Sequence, residues 1–340
     1  MANHKVNIKD IAKKSGLSTT TVSRVLNGKA EAFRISRASQ EKVLKTAKEL
    51  NYVPNQYASN LRSGKSNTIA LMVPSLNNPF FAEIASRINT EIRQHGYITI
   101  ISDSNEDIEI EKNELRQLLS RNIEGLIIVP CGSSWKHIQN VQEQGLPIIC
   151  MDRYFEDFDV PFISTDNYEG AYLTTKELIS MGHKRITCIQ GVPESTTNIL
   201  RVKGYLDALK EAGITSHSIV GDDFTIQNGY LETKLILQQK IKPTVIFTLS
   251  NTIAIGCMKA LKEENLRIPE DISLITFDDH PYLEYLSTPL SCISQPVKNI
   301  SKIAVKFLFR KLNNEELPIN KVLLKPQLKM RESVKRLAVE

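Results

Sequence analysis

Cysteine is scarce in this chain and forms no obvious pairs. Cys131, Cys150, Cys188, Cys257 and Cys292 are scattered, odd in number and mostly set in apolar runs such as IICM at 148–151. Without a CxxC pair or a regular spacing, a disulfide framework or thiolate metal site is not expected, and the five read as reduced core residues. Long apolar stretches are missing as well. No window approaches the roughly 18 residues of a membrane span, and the opening MANHKVNIKDIAKKSG lacks the apolar segment of about 7 to 15 residues that a secretory signal needs. A soluble, cytoplasmic protein without a membrane partner is the expectation. Catalytic signatures are also absent: there is no HExxH, GxSxG, GxxxxGK(S/T) or GxGxxG, and the six histidines are scattered, with no Cys/His cluster at metal spacing. No enzyme, metal site or cofactor is therefore expected. His183, in MGHKR between a helix-like and a strand-like stretch, reads as a structural hydrogen-bonding group.

The 340 residues suggest a small module joined to a larger two-part body. The net charge of +5 is modest but unevenly placed. From Met1 to Lys65 there are 13 Lys/Arg against 4 Asp/Glu, or +9, so the remaining 30 against 34 give −4. A basic head on a slightly acidic body suits phosphate-backbone binding, in which only the head displaces counterions. From charge alone, a solvated basic surface remains open.

Within the head, Asn7 can cap a helix whose Ile8, Ile11 and Ala12 fall at i, i+3, i+4, and Ser15-Gly16 supplies its stop. Ser18 caps a second helix with Val22, Val25 and Leu26 inward and Asn27-Gly28 at its end. Two short helices about a tight turn read as helix-turn-helix. Thr19, Thr20, Thr21, Ser23, Arg24 and Asn27 are the candidate DNA contacts on and beside the second helix. Arg can pair bidentately with guanine, and Thr offers a hydroxyl together with a methyl that can meet thymine's. A third helix capped by Ser36, with Val43, Leu44, Ala47 and Leu50 inward, completes a miniature core that Tyr52 and Pro54 close. The segment NQYASNLR at 55–62 has only a weak apolar stripe and should be a marginal helix alone, followed by the linker-like SGKS.

From Thr68 onward, strand-like runs alternate with amphipathic helical stretches: IALMVP, FFAEIASRINTEIRQHG, YITIIS, KNELRQLLSRN, GLIIVP, then LPIICMD, ITCIQG, TVIFTLS and ISLITFD. This βαβ rhythm predicts two doubly wound parallel sheets. Ligands in such sheets sit beyond the carboxyl ends of strands. Here those positions are Ser75 to Phe81, Asp152-Arg153, Gly191 to Arg201, Ser250-Asn251 and Asp278-Asp279.

The blocks IKDIAKKSGLSTTTVSRVLNG and EKVLKTAKELNYVPNQYASNL resemble the DNA-binding head of the lactose and galactose repressor family of bacterial transcription regulators. Body phrases such as VPSLNNPFFAEI, MDRY, STDNYEGAYL, RVKGYLDAL and ISLITFDD resemble that family's effector domain. The resemblance implies a small all-α helix-turn-helix head over 1–54 and a hinge helix and linker over 55–66. After them comes a two-lobed α/β, periplasmic-binding-protein-like body over 67–340, with an N-lobe of about 67–165 and 295–325 and a C-lobe of about 166–290 and 326–340. It further implies a homodimer on a pseudo-palindromic double-stranded operator, with Asn55, Leu61 and Arg62 at the central minor groove, Leu61 acting as an apolar wedge. An ordinary linker leucine is the other reading of Leu61. A few extra residues around Glu31 to Ile35 depart from the family's spacing and leave the neighbouring phosphate contacts, Lys29 and Arg34, open.

By family position, Arg201 and Asp278 correspond to a charged pair on a small effector, and Phe80, Phe81 and Phe224 to aromatic walls. Asp152, Arg153 and Thr197 would complete the polar lining. Asn251 departs from the Asp that the family commonly has there. A sugar or sugar derivative fits this chemistry, since carboxylate and guanidinium bridge hydroxyls while aromatic faces cover the ring. Members that stack a purine carry Trp where Arg153 stands, and catabolite-control members gated by a phosphocarrier protein tend to lack the Arg at 201. A ligand-responsive repressor is the expected function, with phosphocarrier gating as the alternative. A sugar-capturing transport protein has no use for a +9 head. The terminal LKMRESVKRLAVE offers no heptad extension that would join dimers into tetramers.

Overall fold

The computed structural model describes residues 6–52 and 65–338. The chain divides into two compact units, Met1–Ser66 and Asn67–Glu340. In the first, α1 spans Ile8–Ser15, α2 Thr19–Leu26 and α3 Arg37–Glu49. Asn7 caps α1 reciprocally: its side chain accepts from the Lys9 amide at 2.8 Å, while Asp10 accepts from the Asn7 amide at 2.9 Å. Gly16, at φ 66°, ends α1 in the left-handed conformation that lets the chain turn into α2. Ile11, Val22 and Val43 are fully buried where the three helices meet, each contributing about 1.5–3 kcal/mol. One expectation fails, because Leu44 is 54% exposed. Burial falls on Val43, Thr46 and Ala47, and a step of one residue turns the helix by about 100°, which carries Leu44 off that face.

The second unit holds two wound sheets. The first is built from β1 (Thr68–Val73), α4 (Pro79–Gln94), β2 (Ile98–Asp103), α5 (Ile108–Ser120), β3 (Gly125–Ile128), α6 (Lys136–Glu143), β4 (Ile148–Met151) and β5 (Phe162–Thr165). The second follows with α7 (Asn167–Ser180), β6 (Ile186–Ile189), α8 (Thr196–Glu211), β7 (His217–Val220), α9 (Ile226–Leu237), β8 (Val245–Thr248), α10 (Asn251–Glu263), β9 (Ser273–Phe277), a 3-10 turn (Pro281–Glu284) and β10 (Ser291–Ser294). The chain then returns to the first lobe as α11 (Val297–Leu312) and β11 (Lys321–Leu324), and ends in the second with β12 (Gln327–Lys329). The strand orders are β11-β5-β4-β3-β1-β2 and β12-β10-β9-β8-β6-β7. All pairings are parallel except that of β12, an antiparallel edge strand on β10.

Central strands such as β1, β3, β4, β8 and β9 are buried on both faces and read as continuous apolar runs, as parallel strands under helices must. Three segments join the lobes, after β5, after β10 and between β11 and β12. In the second lobe α9 and α10 approach closely at Gly229 and Gly256. A Cβ on Gly256 would overlap the Ile226 carbonyl oxygen, and one on Gly229 that of Ile253. All five cysteines are buried free thiols. His183 is buried, with Nδ1 bonded to Thr244 Oγ1 at 2.9 Å and Nε2 to the Lys335 carbonyl at 3.0 Å.

Candidate functional site

Strand ends from both lobes face a cleft, and each lobe brings a strained aspartate to it. Asp152 follows β4 and Asp278 follows β9, with φ of 63° and 70°. Such left-handed backbone in a residue other than glycine is uncommon, and it concentrates at functional sites. Both carboxylates are buried, at 3% and 4% exposure. Burial pushes the Asp152 carboxyl up to about 6, against the pull of Arg201 and Arg153. The Asp278 carboxyl is raised by the same cause, opposed by Arg201 and by a bond from Gln295.

Arg201, one turn into α8, is fixed by Nε donating to Asn167 Oδ1 at 2.7 Å and Nη1 to the Leu249 carbonyl at 2.6 Å, with its guanidinium 4.0 Å from the Phe277 ring centroid. Burial lowers its pKa, and Asp278 and Asp152 oppose that fall. Arg153 makes a two-pronged ion pair with Glu106, both contacts at 2.7 Å, between the Phe81 and Phe224 rings. Gln295 links the lobes, donating to Asp278 at 2.6 Å and accepting from Thr165 Oγ1 at 2.5 Å.

The structure gathers Phe80, Phe81, Asp152, Arg153, Thr197, Arg201, Phe224 and Asp278 around one cavity of about 260 Å³, counted with its mouth to solvent. Its lining of charged, polar and aromatic side chains suits a small polar molecule. The Phe224 ring lies over Gly191, where any side chain would overlap it. Asn251 is not among the lining residues. It is fully buried at the start of α10, its backbone N–H donates to Asp278, and neither side-chain amide atom has a protein partner. Asp152 Oδ1 and Arg153 Nε are likewise unpartnered and buried.

Sequence reasoning did not single out Gln295 or Glu106, and it placed Asn78 and Ser250 only within the stretches that follow strand ends. Asn78 caps α4 by accepting from the Phe80 amide at 3.0 Å and lines the cavity beside Ser250 and Gln295. Asn78 carried a signal, as an Asn-Pro step of the kind that caps and opens a helix.

On the head, Thr19 and Thr20 are exposed at the start of α2, and Ser23 and Arg24 are half-buried. Thr21 is engaged in the helix cap: its amide donates to Ser18 Oγ at 3.1 Å and the two hydroxyls lie 2.8 Å apart. Asn27 Nδ2 bonds back to the Ser23 carbonyl at 2.7 Å. Pro54, Asn55, Leu61 and Arg62 lie outside the described residues. Among the described residues no helix is long and apolar enough to cross a membrane, and no group of three or more His, Cys, Asp or Glu could hold a metal ion.

Residues 7–55 match the model of bacterial regulatory proteins of the lacI family, and 66–295 match that of periplasmic binding proteins and the sugar-binding domain of the LacI family. The chain belongs to the lacI family of bacterial regulators. As a lacI-family protein it is a ligand-responsive transcription regulator with a DNA-binding head, and the family is not one of enzymes. It is 35% identical to the ribose operon repressor of Haemophilus influenzae, over 96% of this chain and 98% of that one. Its fold is similar to that of the lac repressor dimer bound to operator and the anti-inducer ONPF, at a TM-score of 0.86 and 26% identity, covering 97% of this chain and 99% of that one. A lacI-family regulator from Enterococcus faecium with bound ribose matches at a TM-score of 0.73 and 27% identity, covering 80% of this chain and 100% of that one.

Proposed function

We propose that this lacI-family regulator is a cytoplasmic homodimeric repressor released from, or held on, its operator by a neutral monosaccharide of pentose size, ribose being the first candidate. The observation that carries the sugar reading is the alternation of charge around one small cleft. Asp152 and Asp278 offer acceptors from opposite lobes, Arg201 and Arg153 offer donors, and the Phe80, Phe81 and Phe224 rings flank them. A sugar ring matches this set, with hydroxyls around its edge and an apolar face on each side. The unpartnered atoms of Asp152 and Arg153, both in the cavity lining, are the polar groups that a bound polyol would satisfy. The relatives named for ribose support the same choice.

On the DNA side, Thr19, Thr20 and Arg24 are the proposed base readers, with Leu61 and Arg62 at the operator's centre and 55–66 as the segment that couples the two functions. Ligand contact with both lobes would change the operator equilibrium by a coupling of about 1–3 kcal/mol, and linkage requires the operator to change ligand affinity equally. Calorimetry with ribose, other aldopentoses, hexoses and purine bases tests the effector assignment, with the D278A protein as control. Ribose should bind the native protein and fail to bind D278A. Binding of a purine or of a phosphocarrier protein, with no sugar bound, overturns the proposal.

A further inference from the structure

We propose that Phe33, on the loop after α2, is a specificity-determining positioning residue that stacks Arg24 for base reading; this rests on Arg24 being a base reader. The loop is short and internally tied. The Lys29 amide donates to the Arg24 carbonyl at 2.9 Å, the Arg34 amide to that of Glu31 at 3.0 Å and the Ile35 amide to that of Ala30 at 2.9 Å, with Arg34 at φ 50°. Its two ends are anchored, since Ala30 is buried and Ile35 packs against the head core. Phe33 between them is 48% exposed. Phe33 is therefore no part of the head's core cluster. What the ring does is meet Arg24, whose guanidinium carbon lies 3.7 Å from its centroid.

That contact differs in kind from an ion pair. A carboxylate partner would occupy two guanidinium N–H donors and cancel the charge, whereas a ring held against the cation leaves the in-plane donors open to DNA. Bidentate pairing with guanine O6 and N7 needs those donors in a fixed plane. A flexible arginine loses side-chain entropy when it docks, and a guanidinium already stacked loses less. The residues that make this platform lie in the loop that directly follows α2. The loop thus adds an aromatic support at the end of the reading helix.

The test uses the full-length chain, with its operator selected from randomised duplexes and affinities then measured for each single base-pair change at fixed salt. R24A should flatten the preference at one base pair by about fivefold or more. F33A should reduce the preference at that same base pair by about two- to fivefold, the size of an exposed cation–π contact, while affinity for random-sequence DNA and its salt dependence stay as in the native protein. F33Y should keep the preference, F33L should lose it despite its apolar volume, and F33A should add nothing to R24A. If R24A leaves every position unchanged, the base-reader assignment fails, and this inference with it. If R24A flattens the preference but F33A and F33L do not, or if F33A weakens all sequences equally, the positioning role of Phe33 is overturned while the reading of Arg24 stands.

Discussion

Replacing Asp152 by Asn should make the ligand-free protein more stable at neutral pH. In the unfolded chain this carboxyl titrates at its ordinary 3.8, while in the folded protein burial holds it at about 6. The native state therefore binds the proton more tightly, and the ionised carboxylate is a cost to the empty cleft above pH 6. A gap of about 2 on the pH scale, at roughly 1.4 kcal/mol for each pH unit, sets that cost on the order of 3 kcal/mol. The sign follows directly: Asp152's contribution to stability is greatest below about pH 4 and is lost as pH rises through 6. D152N removes the ionised state, so its Tm at pH 7.5 should exceed that of the native protein by several degrees for a chain of this size. The difference should shrink toward zero between about pH 6 and 4. Thermal unfolding at fixed protein concentration, repeated across about pH 4–8, measures this. With ribose added the order should reverse, because only the native protein gains the stabilisation of a bound ligand. A D152N protein destabilised equally at about pH 4.5 and 8 would refute the reasoning, since the carboxylate would then be a net support of the fold.

The Glu106–Arg153 pair makes a prediction about ligand charge. With Glu106 counted, the cleft carries two guanidinium groups against the three carboxylates of Glu106, Asp152 and Asp278, so it should favour a neutral sugar over its phosphate. E106Q should shift the ratio of their affinities toward the phosphate by about tenfold, the scale of one bond to a charged group; an unchanged ratio in calorimetry would show that Glu106 does not set it. G256A should destabilise the second lobe by about 1–3 kcal/mol or more through overlap between α9 and α10. Urea unfolding at native stability would mean that the two helices lie farther apart.

The wound sheets were legible because their central strands announce themselves as unbroken apolar runs with helical stretches between. Three of the four outer strands do not. β7, β11 and β12 are short and partly exposed, with at most three apolar residues in a row, since an edge strand has fewer neighbours to pack against. The aspartates at the cleft were readable as the first polar residues after obvious strands. Gln295 follows β10, whose sequence SCIS gives little strand signal, and so passed unnoticed. Glu106 meets Arg153 across 47 positions of sequence, by way of left-handed turns at Asn105 and Glu106, and no local pattern encodes such a meeting. Leu44 shows the limit within a helix: hydrophobicity suggested an inward residue, but helix phase gave the place to Thr46 and Ala47.

The chain's second visit to each lobe bears on how the protein is made. The first lobe's core is closed by α11, whose Ile300, Ala304, Val305, Phe307 and Leu308 fill the face over β3, β4 and β5. Its sheet edge waits for β11 and that of the second lobe for β12. On the ribosome the head is therefore finished early, while both sensing lobes stay open until almost the whole body has emerged. Each nascent chain passes through a period as a DNA reader without a working sensor. A head that bound tightly as a single copy would act during that period regardless of ligand, so an operator divided into two half-sites, as proposed for the homodimer, would also protect the gene from regulators still under construction.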